Sequence, residues 1–255
     1  QGHIYRALNR FARHLERLQS LTPRLAAKVR VQQARALAFA RDFDASMREL
    51  VRAQEVLTAS PSPAVKQHLQ LTHAEILVLS GQHERAALGI LRHLQEIRSI
   101  EDIPLRARAQ HLLALALLPQ DPQRARHFMM RAKYLFERLG FLFDELESTL
   151  HLVRIEARLG LNTQGRLRDV GPQLHESWEM MGILYRLVEA ETERSASQEM
   201  RVRQLLRDRA WAQEHGNQAL AAQVQAVVLG VGTQIYGETS QLTPVHYMKP
   251  RPPAH

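Results

Sequence analysis

The chain has 255 residues, 34 Lys+Arg against 26 Asp+Glu for a formal charge of +8, 45% hydrophobic residues and no Cys. That length can bury a real core in one or two domains, and ordinary apolar and charged fractions exclude wholesale disorder. The missing Cys excludes a disulfide scaffold, a thiolate zinc site and a cysteine nucleophile; no apolar run reaches the ~20 residues of a spanning helix, so a soluble protein without a membrane role is expected.

The chain opens at Gln1-Gly2-His3, without Met, like the remnant of a cleavable tag, and is expected to be an excised piece of a larger protein. The first predicted helix, 3–19, carries Ile4, Leu8, Phe11, Leu15 and Leu18 as one apolar stripe. Arg6, Arg10, Arg13 and Arg17 follow the same spacing on the far side of the cylinder. Residues 1–54 hold 11 Lys+Arg and 4 Asp+Glu, a net of +7, and the remainder is almost neutral at +1. This basic face reads as a solvated helix surface or as a docking surface for an acidic partner or a phosphate backbone. Nucleic acid is the weaker alternative, because aromatics are only 5% of the chain and no zinc-finger, RNP or helix-turn-helix pattern is present.

From Thr22-Pro23 onward, helix-like segments end near Thr58-Ala59, Arg98-Ser99, Leu139-Gly140, Met181-Gly182 and His215-Gly216. Second breaks fall between them at Arg41-Asp42, Gly81-Gln82, Pro119 to Pro122, Gly160 to Asn162 and Ser195 to Ser197, although residues 190–212 also fit one long helix. Ser60-Pro61-Ser62-Pro63 reads as a loop, and Asp102 with Pro104 opens a helix. The unit is helix, tight turn, helix, repeated at about 40 residues. Ser46-x-x-x-Leu50-x-x-Ala53 returns as Ala86-x-x-x-Ile90-x-x-His93 and Ala125-x-x-x-Met129-x-x-Ala132. Small residues there let neighbouring helices approach while the larger ones fill the gap. The fourth copy departs, with Gly165 and Asp169 at those steps and Gly171-Pro172 breaking its second helix. Gly230-Val231-Gly232 reads as a helix stop, which makes residues 231–255 a non-helical tail or linker.

The pattern resembles the tetratricopeptide (TPR) family, in the longer variant of about 40 residues seen in MalT-like sensor domains of bacterial regulators. Arg41-Asp42-Phe43-Asp44-Ala45 and Gly81-Gln82-His83-Glu84-Arg85-Ala86 look like its inter-helix turn, and Phe136-Glu137-Arg138-Leu139-Gly140 like its inter-repeat joint. The resemblance implies an all-α, right-handed solenoid of antiparallel helical hairpins over residues 1–230, with roughly 11–13 helices, the first of them a half repeat.

Catalysis is not expected. There is no His-Glu-x-x-His pair, no phosphate loop and no activated nucleophile, so neither metal nor cofactor is expected, and the pairs Glu145/Glu147 and Glu189/Glu191/Glu193 read as solvated faces. What the resemblance implies instead is a protein- or peptide-binding scaffold, cytoplasmic and regulatory, with self-association a further expectation. Its groove positions carry over to Lys28, Val31, Arg35 and Phe39, to His68, Leu71, Glu75 and Val78, and to Arg154 and Arg158. Lys28 and Arg35 with Arg154 and Arg158 would make the groove cationic at both ends, which suits an acidic partner.

Overall fold

The computed structural model describes residues 6, 8–13, 15, 22–96, 102–175, 178–192 and 198–236. Eleven α-helices follow one another among them: α1 (Pro23–Phe39), α2 (Phe43–Ala59), α3 (Pro63–Leu79), α4 (His83–Glu96), α5 (Ile103–Leu117), α6 (Pro122–Leu139), α7 (Leu142–Arg158), α8 (Gln164–Val170), α9 (Glu179–Thr192), α10 (Gln198–Glu214) and α11 (Gln218–Tyr236). Residues 8–13 are helical as well, and no described residue is in a strand. The fold is an all-α, TPR-like solenoid of antiparallel hairpins. No described helix is long and apolar enough to cross a membrane.

The turns follow from local chemistry. Asp42, Asp102 and Asp121 each accept a hydrogen bond from the backbone amide three residues on, at 3.0–3.1 Å, capping α2, α5 and α6. Helices α1, α3, α6, α7 and α10 stop where one residue turns left-handed: Arg41 at φ +62°, Gly81 at +80°, Gly140 at +68°, Gly160 at +72° and Gly216 at +79°. Four of the five are glycine, which adopts that conformation without steric cost; Arg41 is the exception.

Packing uses the small-large-small rhythm. Ser46, Ala53, Ala86, Ala125 and Ala132 are all buried at the contacts, with Leu50, Ile90 and Met129 between them. Ser46 Oγ also donates to Ala34 O at 2.6 Å, so a hydroxyl sits at the closest approach of α1 and α2 with its polar group satisfied. Among the described residues the three largest core clusters lie along the stack around Val31/Leu50, Leu71/Leu113 and Leu150/Leu187.

Several sequence expectations need correction. Pro63 is the first residue of α3 rather than loop, a position where proline's missing amide costs nothing. Met181-Gly182 lies inside α9, with Met181 buried in the core, and is no helix end. One helix over 190–212 is excluded, because Arg186 on α9 lies 2.8 Å from Asp208 on α10, whereas 22 helical residues would separate them by about 33 Å. Helix α11 continues to Tyr236, so Gly230 stops nothing and the first residues of the expected tail are helical. The expected breaks at Arg98-Ser99 and Ser195 to Ser197, and the rest of the tail, lie outside the described residues.

Candidate ligand-binding groove

The odd-numbered helices form the inner layer. Helix α1 touches α3, α3 touches α5, α7 touches α9, α9 touches α11, and α11 reaches back to touch α1. The stack is therefore strongly curved, and polar side chains of α1, α3, α5 and α7 converge on its concave side.

Glu75 on α3 is the hub. Its carboxylate accepts from Arg35 Nε at 3.1 and 2.9 Å, and from Arg108 Nη2 on α5 at 2.7 Å. Burial opposes its ionisation, yet the two guanidinium groups hold its carboxyl below the usual range. Arg35 also stacks over the Phe39 ring, 5.6 Å from its centroid. Arg35 is close enough to Asp144 and Glu147 on α7 for their charges to act on it, although more than a hundred residues separate them in the chain.

On the far side of this ion cluster lie His111 of α5 and Glu147 and His151 of α7. His111 Nδ1 is 2.9 Å from Ser148 Oγ, and its ring meets that of His151 edge-on at 5.4 Å. Burial pushes His111 down to about 4 and His151 well below its ordinary value, while burial pushes the Glu147 carboxyl up to about 7. One ligating atom from each of His111, Glu147 and His151 falls within 4.8 Å of the other two, so these residues could hold a metal ion. The reading of Glu145 and Glu147 as a solvated pair fails for Glu147: its neighbour is the i+4 histidine, not Glu145, which lies 3.5 Å from Lys133 instead.

The sequence-derived groove residues divide. Lys28 and Arg158 are exposed, and Phe39, His68 and Val78 are half-buried. Val31 and Leu71, 1% and 0% exposed, are core residues with no surface to offer a ligand. They sit one helical turn from Lys28 and His68, on the side that packs. Arg35 and Glu75, placed separately in the sequence, are one ion pair. Arg154 is also paired: its Nε and Nη2 donate to Glu191 of α9 at 2.6 and 2.8 Å, and Glu191 stays exposed, as expected of a solvated face.

Of the four cations expected at the ends of the groove, Lys28 and Arg158 stay exposed while Arg35 and Arg154 are held in ion pairs; the groove also carries acid. Its α7 side presents Asp144 and Glu147, whose carboxyls are both raised by burial. Positive charge concentrates on the α1–α3–α5 side. There Lys28, His68 and Arg108 occupy the same step of successive inner helices, and His68 is lowered first by burial and then by the charges of Arg108 and Lys28. Arg108 was legible as forty residues after His68, and His111 as forty after Leu71, but the third unit lent no residues to the sequence-based groove. On the basic face, Arg6, Arg10 and Arg13 are exposed while Leu8 and Phe11 are half-buried and Leu15 is buried; Arg17 lies outside the described residues.

No protein-family model matches the chain, and no curated protein does. Among solved structures the chain is similar to a Rap protein complexed with Competence and Sporulation Factor, with a TM-score of 0.64 and 13% identity over 89% of this chain and 70% of that one. The likeness is one of fold, a TPR-like helical repeat.

Proposed function

We propose that the chain is a non-catalytic module that holds a protein or peptide segment along its concave face and takes an acidic group of that partner on the α1–α3–α5 side. The observation that carries this is the row Lys28, His68 and Arg108, at equal steps on neighbouring inner helices. Lys28 is exposed, and two arginines share the single carboxylate of Glu75. Guanidinium groups suit carboxylates because they offer paired donors. Support from fold comes from the Rap structure, itself a complex with Competence and Sporulation Factor. The inner helices start 40, 40, 39, 37 and 39 residues apart, which fits the longer, MalT-like variety of the repeat and a place as the sensor or scaffold part of a larger bacterial, cytoplasmic regulator.

The test is fluorescence anisotropy of an acidic peptide library against the wild type, Lys28→Glu and Arg108→Glu, with Arg158→Glu as a comparison outside the row. Charge reversal at Lys28 or Arg108 is expected to weaken binding at least tenfold, and Arg158→Glu much less. Equal affinities across the four proteins would sink this reading.

A second reading rests on the exposed Arg6, Arg10 and Arg13, which present a basic face to a phosphate backbone. It requires binding to RNA or DNA that collapses between about 50 and 200 mM salt.

A further inference from the structure

Of the polar groups on the concave side, the ion cluster around Glu75 satisfies itself, but its neighbours do not. His151 is 8% exposed, and its Nδ1 has no hydrogen-bond partner among the described residues. Glu147 accepts no hydrogen bond from either histidine, although one atom of each of the three lies within 4.8 Å of the others. Three Lewis bases thus converge without a shared proton to bind them together.

We propose that His111, Glu147 and His151 bind a divalent transition-metal ion of the zinc type, as a two-histidine, one-carboxylate site on the concave face. Glu147 and His151 stand one turn apart on α7, and α5 brings His111 against them; this i, i+4 pair plus a third ligand from a neighbouring helix is a geometry that helices build readily. Two imidazoles select against magnesium and calcium, which take oxygen ligands. Around a tetrahedral ion with bonds of about 2.0–2.1 Å, ligand atoms lie about 3.3 Å apart, so side-chain rotations must close the spacing here by at most about 1.5 Å.

The surroundings agree with a cation. Ser148 Oγ, 2.9 Å from His111 Nδ1, orients that ring as an outer-shell partner does. The nearby positive charges are all paired, Arg35 and Arg108 with Glu75 and Arg154, which acts on His151, with Glu191, and Asp144 stands a turn before Glu147 on the same helix. Three protein ligands leave a fourth position open for water or for a group from a bound partner. The site does not depend on the acidic-partner reading, because ion binding is measured without any peptide.

The experiment treats the full chain with a chelator, then titrates it with zinc chloride by calorimetry and with cobalt chloride by visible absorption. Expected are one saturable zinc site per chain above any weak background and cobalt d–d bands of a low-coordinate ion. His111→Ala and Glu147→Gln, each checked for native helicity by circular dichroism, are expected to lower zinc affinity at least tenfold and to abolish the cobalt bands. His127→Ala, an exposed histidine, is expected to change neither. Ser148→Ala, at a positioning residue, is expected to weaken zinc about tenfold while keeping the bands. The proposal is overturned if the wild type shows no saturable site, or if His111→Ala and Glu147→Gln bind zinc as the wild type does, which would mark an adventitious ion only.

Discussion

His93 occupies the small-residue step where the neighbouring copies have Ala53 and Ala132, yet it is only 3% exposed and neither ring nitrogen has a hydrogen-bond partner among the described residues. Burial lowers its basicity, with Glu96 acting weakly in the other direction. The unfolded chain therefore takes up this proton before the folded one does. Its contribution to stability is intact above the ordinary histidine value of about 6.5 and is lost as the pH falls below it, by at most ~1.4 kcal/mol per pH unit. His68, His73, His111 and His151 are lowered as well and add to the same acid loss. Glu147, raised to about 7, works oppositely: its contribution is greatest at low pH and is lost as the pH rises through that value. Urea unfolding midpoints are expected to fall between pH 8 and pH 5, and His93→Leu to make that fall shallower. A variant with the wild-type pH dependence would mean that His93 stays solvated enough to protonate in place. The burial of His93 was legible from its step in the repeat; its two unsatisfied nitrogens were not, because they depend on what the adjoining helices offer.

At the scale of elements, carboxylates buried between helices act as staples. Glu156 of α7 is the clearest: its side chain is 3% exposed and accepts from Arg126 of α6 at 3.0 Å and from Arg166 of α8 at 3.1 Å. Helix α8 has only seven residues before Gly171-Pro172 ends it in a short 3₁₀ turn, too few for a helix to hold by its own propensity. Two buried side chains, Leu167 and Val170, and the Arg166 contact tie it down. Glu156→Ala is expected to cost about 1–3 kcal/mol, below the figure for a fully buried pair because both arginines are partly exposed and can turn to water. Hydrogen exchange should show the loss first in α8; uniform protection across α6, α7 and α8 in the variant would argue against the staple. This stretch is also where a forty-residue ruler misleads. The buried large residues Leu50, Ile90, Met129, Leu167 and Leu205 show the true step shortening from 40 to 38. Gly165 and Asp169 looked like a broken copy, whereas Thr163-x-x-x-Leu167-x-x-Val170 is the intact one, two residues earlier. Repeats one to three were readable because their step changed by only one residue, from 40 to 39; the fourth was not, because its shortening was hidden by a plausible alternative phase.

For the whole molecule, the contact between α11 and α1 changes what kind of solenoid this is. In an open solenoid each repeat touches only its neighbours, so stability is a sum of local terms and one end is indifferent to the other. A return contact couples them. Curvature is the part a linear sequence hides most thoroughly, since it is set by small rotations accumulated over the inner helices, and it is also what brings Arg35 near Asp144 and Glu147. Residues chosen position by position therefore captured the row Lys28 and His68 but missed the meeting of α5 with α7. The coupling has a direct consequence. Ending the chain after His215 deletes α11 and uncovers apolar surface on α9 and α10, where Leu220, Ala221 and Val224 are buried in the same cluster as Leu187 and Val188. At about 1.5–3 kcal/mol for each large buried aliphatic, α9 and α10 must loosen in either kind of solenoid. The discriminating region is α1 to α4, which ends 122 residues before α11 in the chain. If the return contact stabilises the N-terminal repeats, hydrogen-exchange protection there drops on truncation by a factor of about 5–30, the equivalent of 1–2 kcal/mol. If α1 to α4 keep their wild-type protection while α9 and α10 lose theirs, the repeats stand by nearest-neighbour packing alone and the concave face is free to widen around a partner.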